Sequence, residues 1–128
     1  MWGMEYRTEF QDETGYLRVT ASGSYSLSRC KRLVERIVEE SGKRAATRLL
    51  LDMTGVPGST PDVHRIALGE LSAQVLQGLQ IAVVDPVEAR DKGIESVAHN
   101  QGANLRYYTS EPEAVAWLLE VRQQGSSP

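Results

Sequence analysis

The sequence predicts an α/β fold: a five-stranded, mixed and mostly parallel sheet with an N-terminal hairpin and four helices. Three observations predict it. Leu49-Leu-Leu-Asp52 and Ile81-Ala-Val-Val-Asp85 are short unbroken apolar runs, as expected of strands covered on both faces. Helical apolar spacing separates these runs from one another and from their neighbours. Strands joined by helical crossovers must lie parallel.

The elements follow in order. Glu5–Gln11 and Tyr16–Ala21 read as two strands joined by the polar turn Asp12-Glu13-Thr14-Gly15. Leu17, Val19 and Ala21 alternate with Arg18 and Thr20, the period of two of a half-covered strand. Ser24 or Ser26 caps a helix that runs to about Ser41, where Gly42 supplies the stop. Leu27, Cys30, Leu33, Val34, Ile37 and Val38 share one face of it, and Lys31, Arg32, Glu35, Arg36 and Glu39 the other. After the Leu49–Asp52 strand, a second helix is expected from about Pro61 to Leu76. The Gln80–Asp85 strand precedes a third helix from Pro86 to about Asn100, ended by Gly102. Leu105–Tyr108 is the last strand, and Tyr107 and Tyr108 alternate across it, so one ring is expected to face inward and the other outward. Ser110 and Glu113 form a capping pair for the final helix, which turns Val115, Leu118 and Leu119 inward beside Trp117. Residues 1–124 are expected to form a single domain and residues 125–128 a disordered tail.

Composition excludes several functions. The 128 residues carry a net charge of −3 with acids and bases interspersed, so no basic stripe marks a nucleic-acid surface. Cys30 is the only cysteine, which excludes an internal disulfide and suits a reducing compartment. Met1–Arg7 lacks the apolar core of a signal peptide, and no run reaches membrane-spanning length. A cytoplasmic protein is expected.

The second helix carries Val63, Ile66, Ala67, Leu68, Leu71, Ala73, Val75 and Leu76, too many for a narrow stripe. Its outer side is expected to be covered by an adjacent helix, a ligand, a partner protein or a second copy of the chain. The other notable feature is the pair of strand ends, Asp52 and Asp85. Ligands of open α/β sheets collect beyond the carboxyl ends of the strands. Two carboxylates there have the oxygen chemistry to hold a divalent cation. The stronger expectation is that each accepts backbone hydrogen bonds from its own turn, with no metal and no cofactor.

The loop Asp52-Met-Thr-Gly-Val-Pro-Gly-Ser-Thr-Pro61 lacks the lysine ending of a phosphate-cradling loop. Ser59 and Thr60, before the second helix, are candidates for helix caps or phosphorylation. His64 is expected on the helix surface, and Cys30 as a buried inert thiol. No serine stands in a nucleophile elbow, and no nucleophile–base pair is evident. An enzyme is therefore not expected.

The Leu49-Leu-Leu-Asp-Met-Thr-Gly-Val56 segment, the Ile81-Ala-Val-Val-Asp85 strand, and Leu105-Arg-Tyr-Tyr-Thr-Ser110 followed by Glu113-Ala-Val-Ala-Trp-Leu118 resemble the STAS superfamily. The likeness is to its SpoIIAA-like branch, the fold of bacterial anti-sigma-factor antagonists, and covers Glu5 to about Glu120. It implies a domain without enzymatic activity that works through protein contacts or small-ligand binding. The branch also resembles the lipid-binding CRAL-TRIO fold, which implies a small apolar ligand or lipid as the alternative cargo. Such antagonists carry an aspartate-serine-serine (or threonine)-glycine run that is phosphorylated. Aligned without gaps it falls on Thr60-Pro61-Asp62-Val63, and a shift of register brings Ser59 or Thr60 into the serine position. The candidate ligand- or partner-binding residues are thus Asp52, Thr54, Gly55, Ser59, Thr60, His64 and Asp85, with a homodimer through the second helix as one form of partner.

Overall fold

Leu17, Val19 and Ala21 are buried while Arg18 and Thr20 between them are half-buried, so this strand has one fully covered face. Leu49, Leu50 and Leu51 are all buried, which requires cover on both sides. The computed structural model, which describes residues 5–56, 62–85 and 104–125, shows where that cover comes from. Its elements are β1 (Arg7–Glu13), β2 (Tyr16–Ser22), α1 (Leu27–Arg44), β3 (Arg48–Gly55), α2 (Asp62–Val75), β4 (Gln80–Val84), β5 (Asn104–Tyr108) and α3 (Glu111–Gly125). The five strands lie in the order β1-β2-β3-β4-β5. β1 pairs antiparallel with β2, and every later pairing is parallel. The described residues hold three helices where four are expected; the helix expected over 86–100 lies outside them, as do Ser59 and Thr60.

The strand alternation sorts the core into two layers. Leu17, Val19, Leu49, Leu51, Ile81, Val83 and Leu105 face α1 and α2, meeting Leu33, Ile37, Leu68 and Leu76. Leu50, Ala82 and Val84 face the other way, onto Ala114, Trp117 and Leu118 of α3. The two tyrosines of β5 lie on opposite faces, but neither turns outward: Tyr107 packs with the first layer and Tyr108 with the second, because both faces of the sheet are covered. Arg18 joins α3 to β2 through a two-pronged ion pair, with Nη1 and Nη2 at 2.9 and 2.7 Å from the Glu111 carboxylate.

Three of the boundaries that differ from expectation have a clear physical reason. The hairpin turn is only Thr14-Gly15, with Glu13 opposite Tyr16, because Gly15 adopts φ 92° and so closes a shorter turn. α1 continues through Gly42 to Arg44, where Arg44 binds Glu40 and Asp12 and lies over the Phe10 ring. The helix then ends on Ala45 in the left-handed conformation, closed by Ala46 N–H to the Ser41 carbonyl and Ala45 N–H to that of Gly42. At its start, Ser26 is the cap, accepting from the Arg29 N–H at 3.1 Å. Finally, β3 does not stop at Asp52 but runs on to Gly55, which pairs with Ser22 after an irregularity in β2. A Cβ at Gly55 would lie 2.8 Å from Ser22 Cβ and 2.9 Å from the Ala21 carbonyl oxygen, so only glycine allows that pairing.

Candidate functional site

Asp52 and Asp85 reach the same edge of the sheet, since Asp52 stands opposite Val84 in the β3–β4 register. They leave it on opposite faces. Successive side chains of a strand alternate, so Asp52 follows Leu50 toward the α3 side. Asp85 follows Ile81 and Val83 toward α1 and α2, where it is buried. A one-residue offset between parallel strands is enough to separate two carboxylates in this way. They do not face one another, and the cation geometry that a shared rim suggests is not formed. Among the described residues no group of three acidic, histidine or cysteine side chains is placed to hold a metal ion.

Asp52 folds back on its own turn. Its Oδ1 accepts from the Thr54 N–H at 2.9 Å and from the Thr54 hydroxyl at 2.7 Å. This is the local turn-making behaviour expected of aspartate, and it absorbs both polar groups of Thr54. Gly55 is held by Gly23, whose N–H donates to the Gly55 carbonyl at 3.1 Å. Val56 N–H to the Met53 carbonyl then starts the descent into the loop.

His64 lies on α2, as expected. It is half-buried, and its Nδ1 shares a 2.9 Å hydrogen bond with the Tyr25 hydroxyl, their rings 5.9 Å apart. Tyr25 immediately precedes the α1 cap, so the pair ties the start of α1 to the first turn of α2. Cys30 is buried as expected, with Sγ 3.3 Å from the Tyr6 hydroxyl. Burial, reinforced by that hydrogen bond, raises the Tyr6 hydroxyl pKa far above the ordinary tyrosine range, so Tyr6 stays neutral.

α2 divides its apolar residues unevenly. Leu68, Ala73 and Leu76 are buried against the sheet and α1, whereas Val63 is 72% and Ile66 53% exposed. These two lie three residues apart at the start of the helix, at the same end as Asp52–Gly55. Beneath the helix, between α1, α2 and the sheet, is a cavity of about 80 Å³. Leu33, Ile37, Leu68 and Leu76 supply apolar wall, while Ser72 and Asp85 supply polar groups. Sequence reasoning missed Tyr25, Ser72 and the cavity. Ser72 alone left a signal, a polar residue on the Leu68–Leu76 stripe.

No family model matches the sequence, and none of the curated proteins does. The structure, by contrast, is similar to that of an anti-sigma factor antagonist from Mycobacterium paratuberculosis, with a TM-score of 0.61 and 17% identity over 89% of this chain and 94% of that one. It is also similar to an uncharacterized protein with a SpoIIAA-like fold from Shewanella loihica, at a TM-score of 0.55 and 13% identity with the same coverage. At such identities the likeness is one of architecture, and the architecture is the SpoIIAA-like fold.

Proposed function

We propose that this chain is a regulatory domain without catalytic activity, acting by docking a protein on the loop and helix after β3, residues 52–76. The observation that carries the reading is the exposure of Val63 and Ile66 on the opening turns of α2. Outward positions of a helix packed on a sheet are ordinarily polar. Fully burying one large aliphatic side chain contributes roughly 1.5–3 kcal/mol, so two neighbours can anchor an interface. Glu70, which is exposed, is available as polar rim. The partner is another protein or a second copy of this chain in a homodimer, met in the cytoplasm. The Mycobacterium neighbour, named for antagonising an anti-sigma factor, supports a protein as the partner of this fold.

Ser59 and Thr60 are the proposed points of control. A phosphate on either adds nearly two negative charges a few residues before Val63 and opposes burial of an apolar surface. Catalysis has no support from the acids, since Asp52 is engaged by Thr54 and Asp85 lies on the other face. A lipid carrier has little more. Ligand pockets for drug-sized molecules run to roughly 300–1,000 Å³, well above the cavity's 80 Å³.

The test compares wild type with Ile66→Glu by light scattering and by affinity capture from extracts. Self-association, or a captured protein, that Ile66→Glu loses while keeping its circular dichroism spectrum supports the reading. Association that Ile66→Glu leaves intact counts against it.

A further inference from the structure

The cavity under α2 has the make-up of a small binding site. Its volume of about 80 Å³ exceeds the roughly 30 Å³ share of one water molecule. It is well below the roughly 150 Å³ of an engineered cavity that admits benzene. The occupant it fits is a molecule of about three to five heavy atoms. Most of the wall is apolar, including Leu33, Ile37, Leu68, Leu76 and Ile81, and Tyr25, Cys30 and Tyr107 also line it. The apolar wall disfavours a strongly hydrated charged molecule, and the Asp85 carboxyl disfavours an anion, which leaves a neutral hydrogen-bond donor.

Of the residues in the lining, Ser72 and Asp85 are the buried polar ones. Ser72 is 5% exposed and lies between Leu68 and Leu76 on the buried stripe of α2. An alanine there would have served packing alone, whereas a hydroxyl can both donate to and accept from an occupant. Asp85 is 4% exposed and enters the lining from the end of β4. A carboxyl group has lone pairs for several donors at once. The cavity also opens among residues at the carboxyl ends of the strands, Met53, Val56 and Tyr107, where ligands of open α/β sheets collect.

We propose that this cavity binds a small neutral alcohol, its hydrocarbon body against Leu68, Leu76 and Ile81 and its hydroxyl group among Ser72 and Asp85. Binding is reversible and involves no covalent step. It is independent of the docking surface, because Val63 and Ile66 point away from the buried stripe that lines the cavity.

The experiment is a ¹H–¹⁵N NMR titration of the full chain with 1-butanol, and with 2-naphthol as an oversized probe. The expected result is saturable shifts with 1-butanol, centred on Leu68, Ser72, Leu76, Val83 and Asp85, and none there with 2-naphthol. Ser72→Leu, which fills the space, should abolish saturation; Ser72→Ala, which keeps the space and removes the hydroxyl, should weaken binding severalfold. If Ser72→Leu does not fold, Ser72→Ala and the size contrast between probes decide. Shifts that rise linearly without saturation, that spread over the surface, or that are equal in wild type and Ser72→Ala overturn the proposal. So does a cavity that holds only ordered water in the presence of 1-butanol.

Discussion

Tyr25 and His64, 39 residues apart, share a 2.9 Å hydrogen bond that ties the entry of α1 to the first turn of α2. It fixes the two helix starts relative to one another at the edge where Val63 and Ile66 are exposed. Tyr25→Phe keeps the ring and deletes the bond. The variant should lose about 0.5–1.5 kcal/mol in urea unfolding. An unchanged midpoint would show that the bond contributes nothing.

Arg18 lowers the Glu111 carboxyl below its ordinary 4.5 by hydrogen bonding and charge, against a smaller opposing effect of burial. A carboxyl with a lowered folded-state value stabilises the protein above its unfolded value and loses that contribution as pH falls through the folded one. Stability should therefore decline below about pH 4.5 by a component that Arg18→Met lacks. The Glu111 side chain is 42% exposed, so screening limits the component to about 0.5–1 kcal/mol. Parallel acid titrations of the two proteins would expose an account that has this pair wrong.

The end of α1 reverses the usual placement of glycine and alanine. Gly42 is helical and a Cβ there meets nothing within 4 Å, while Ala45 holds φ 53°. Gly42→Ala should stabilise by about 0.5–1 kcal/mol by limiting the unfolded chain. Ala45→Gly should do so by a similar amount, since a left-handed residue with a Cβ costs roughly 1–2 kcal/mol and glycine's entropy offsets part of the gain. Melting temperatures of the single and double variants check both signs.

Gly55→Ala should act in the opposite direction. The added methyl group would stand 2.8 Å from Ser22 Cβ and 2.9 Å from a backbone oxygen, neither of which can swing aside. A cost of about 1–3 kcal/mol is expected in denaturant unfolding. Ser22→Gly should recover part of it, because one of the two clashing atoms is then gone.

Much of the fold was legible because β2, β3 and β4 announce themselves locally. Alternation along Leu17–Ala21 marks one covered face, and the unbroken Leu49–Leu51 and Ile81–Val84 runs mark two. The parity of those same residues already places Asp52 and Asp85 on opposite faces, given the register. Register is a property of two strands together, and neither strand carries it alone. The Tyr25–His64 pair was invisible for a similar reason, since nothing local links residues on different helices. The end of α1 was misplaced because Gly42 is a good stop in isolation. Arg44 reaches Asp12 and Phe10 only once the hairpin is folded beside it. The apolar excess of α2 was legible, but which of its residues stay exposed depends on how the helix sits on the sheet.

The claim that α2 presents a docking face is tested most directly by photo-crosslinking in native extract. Ile66 is replaced by benzoylphenylalanine in one sample and exposed Glu9 in another, and adducts are identified by mass spectrometry. The account predicts a discrete adduct from position 66, to one protein or to a second copy of this chain, and none of it from position 9. Identical diffuse labelling from both positions would contradict it.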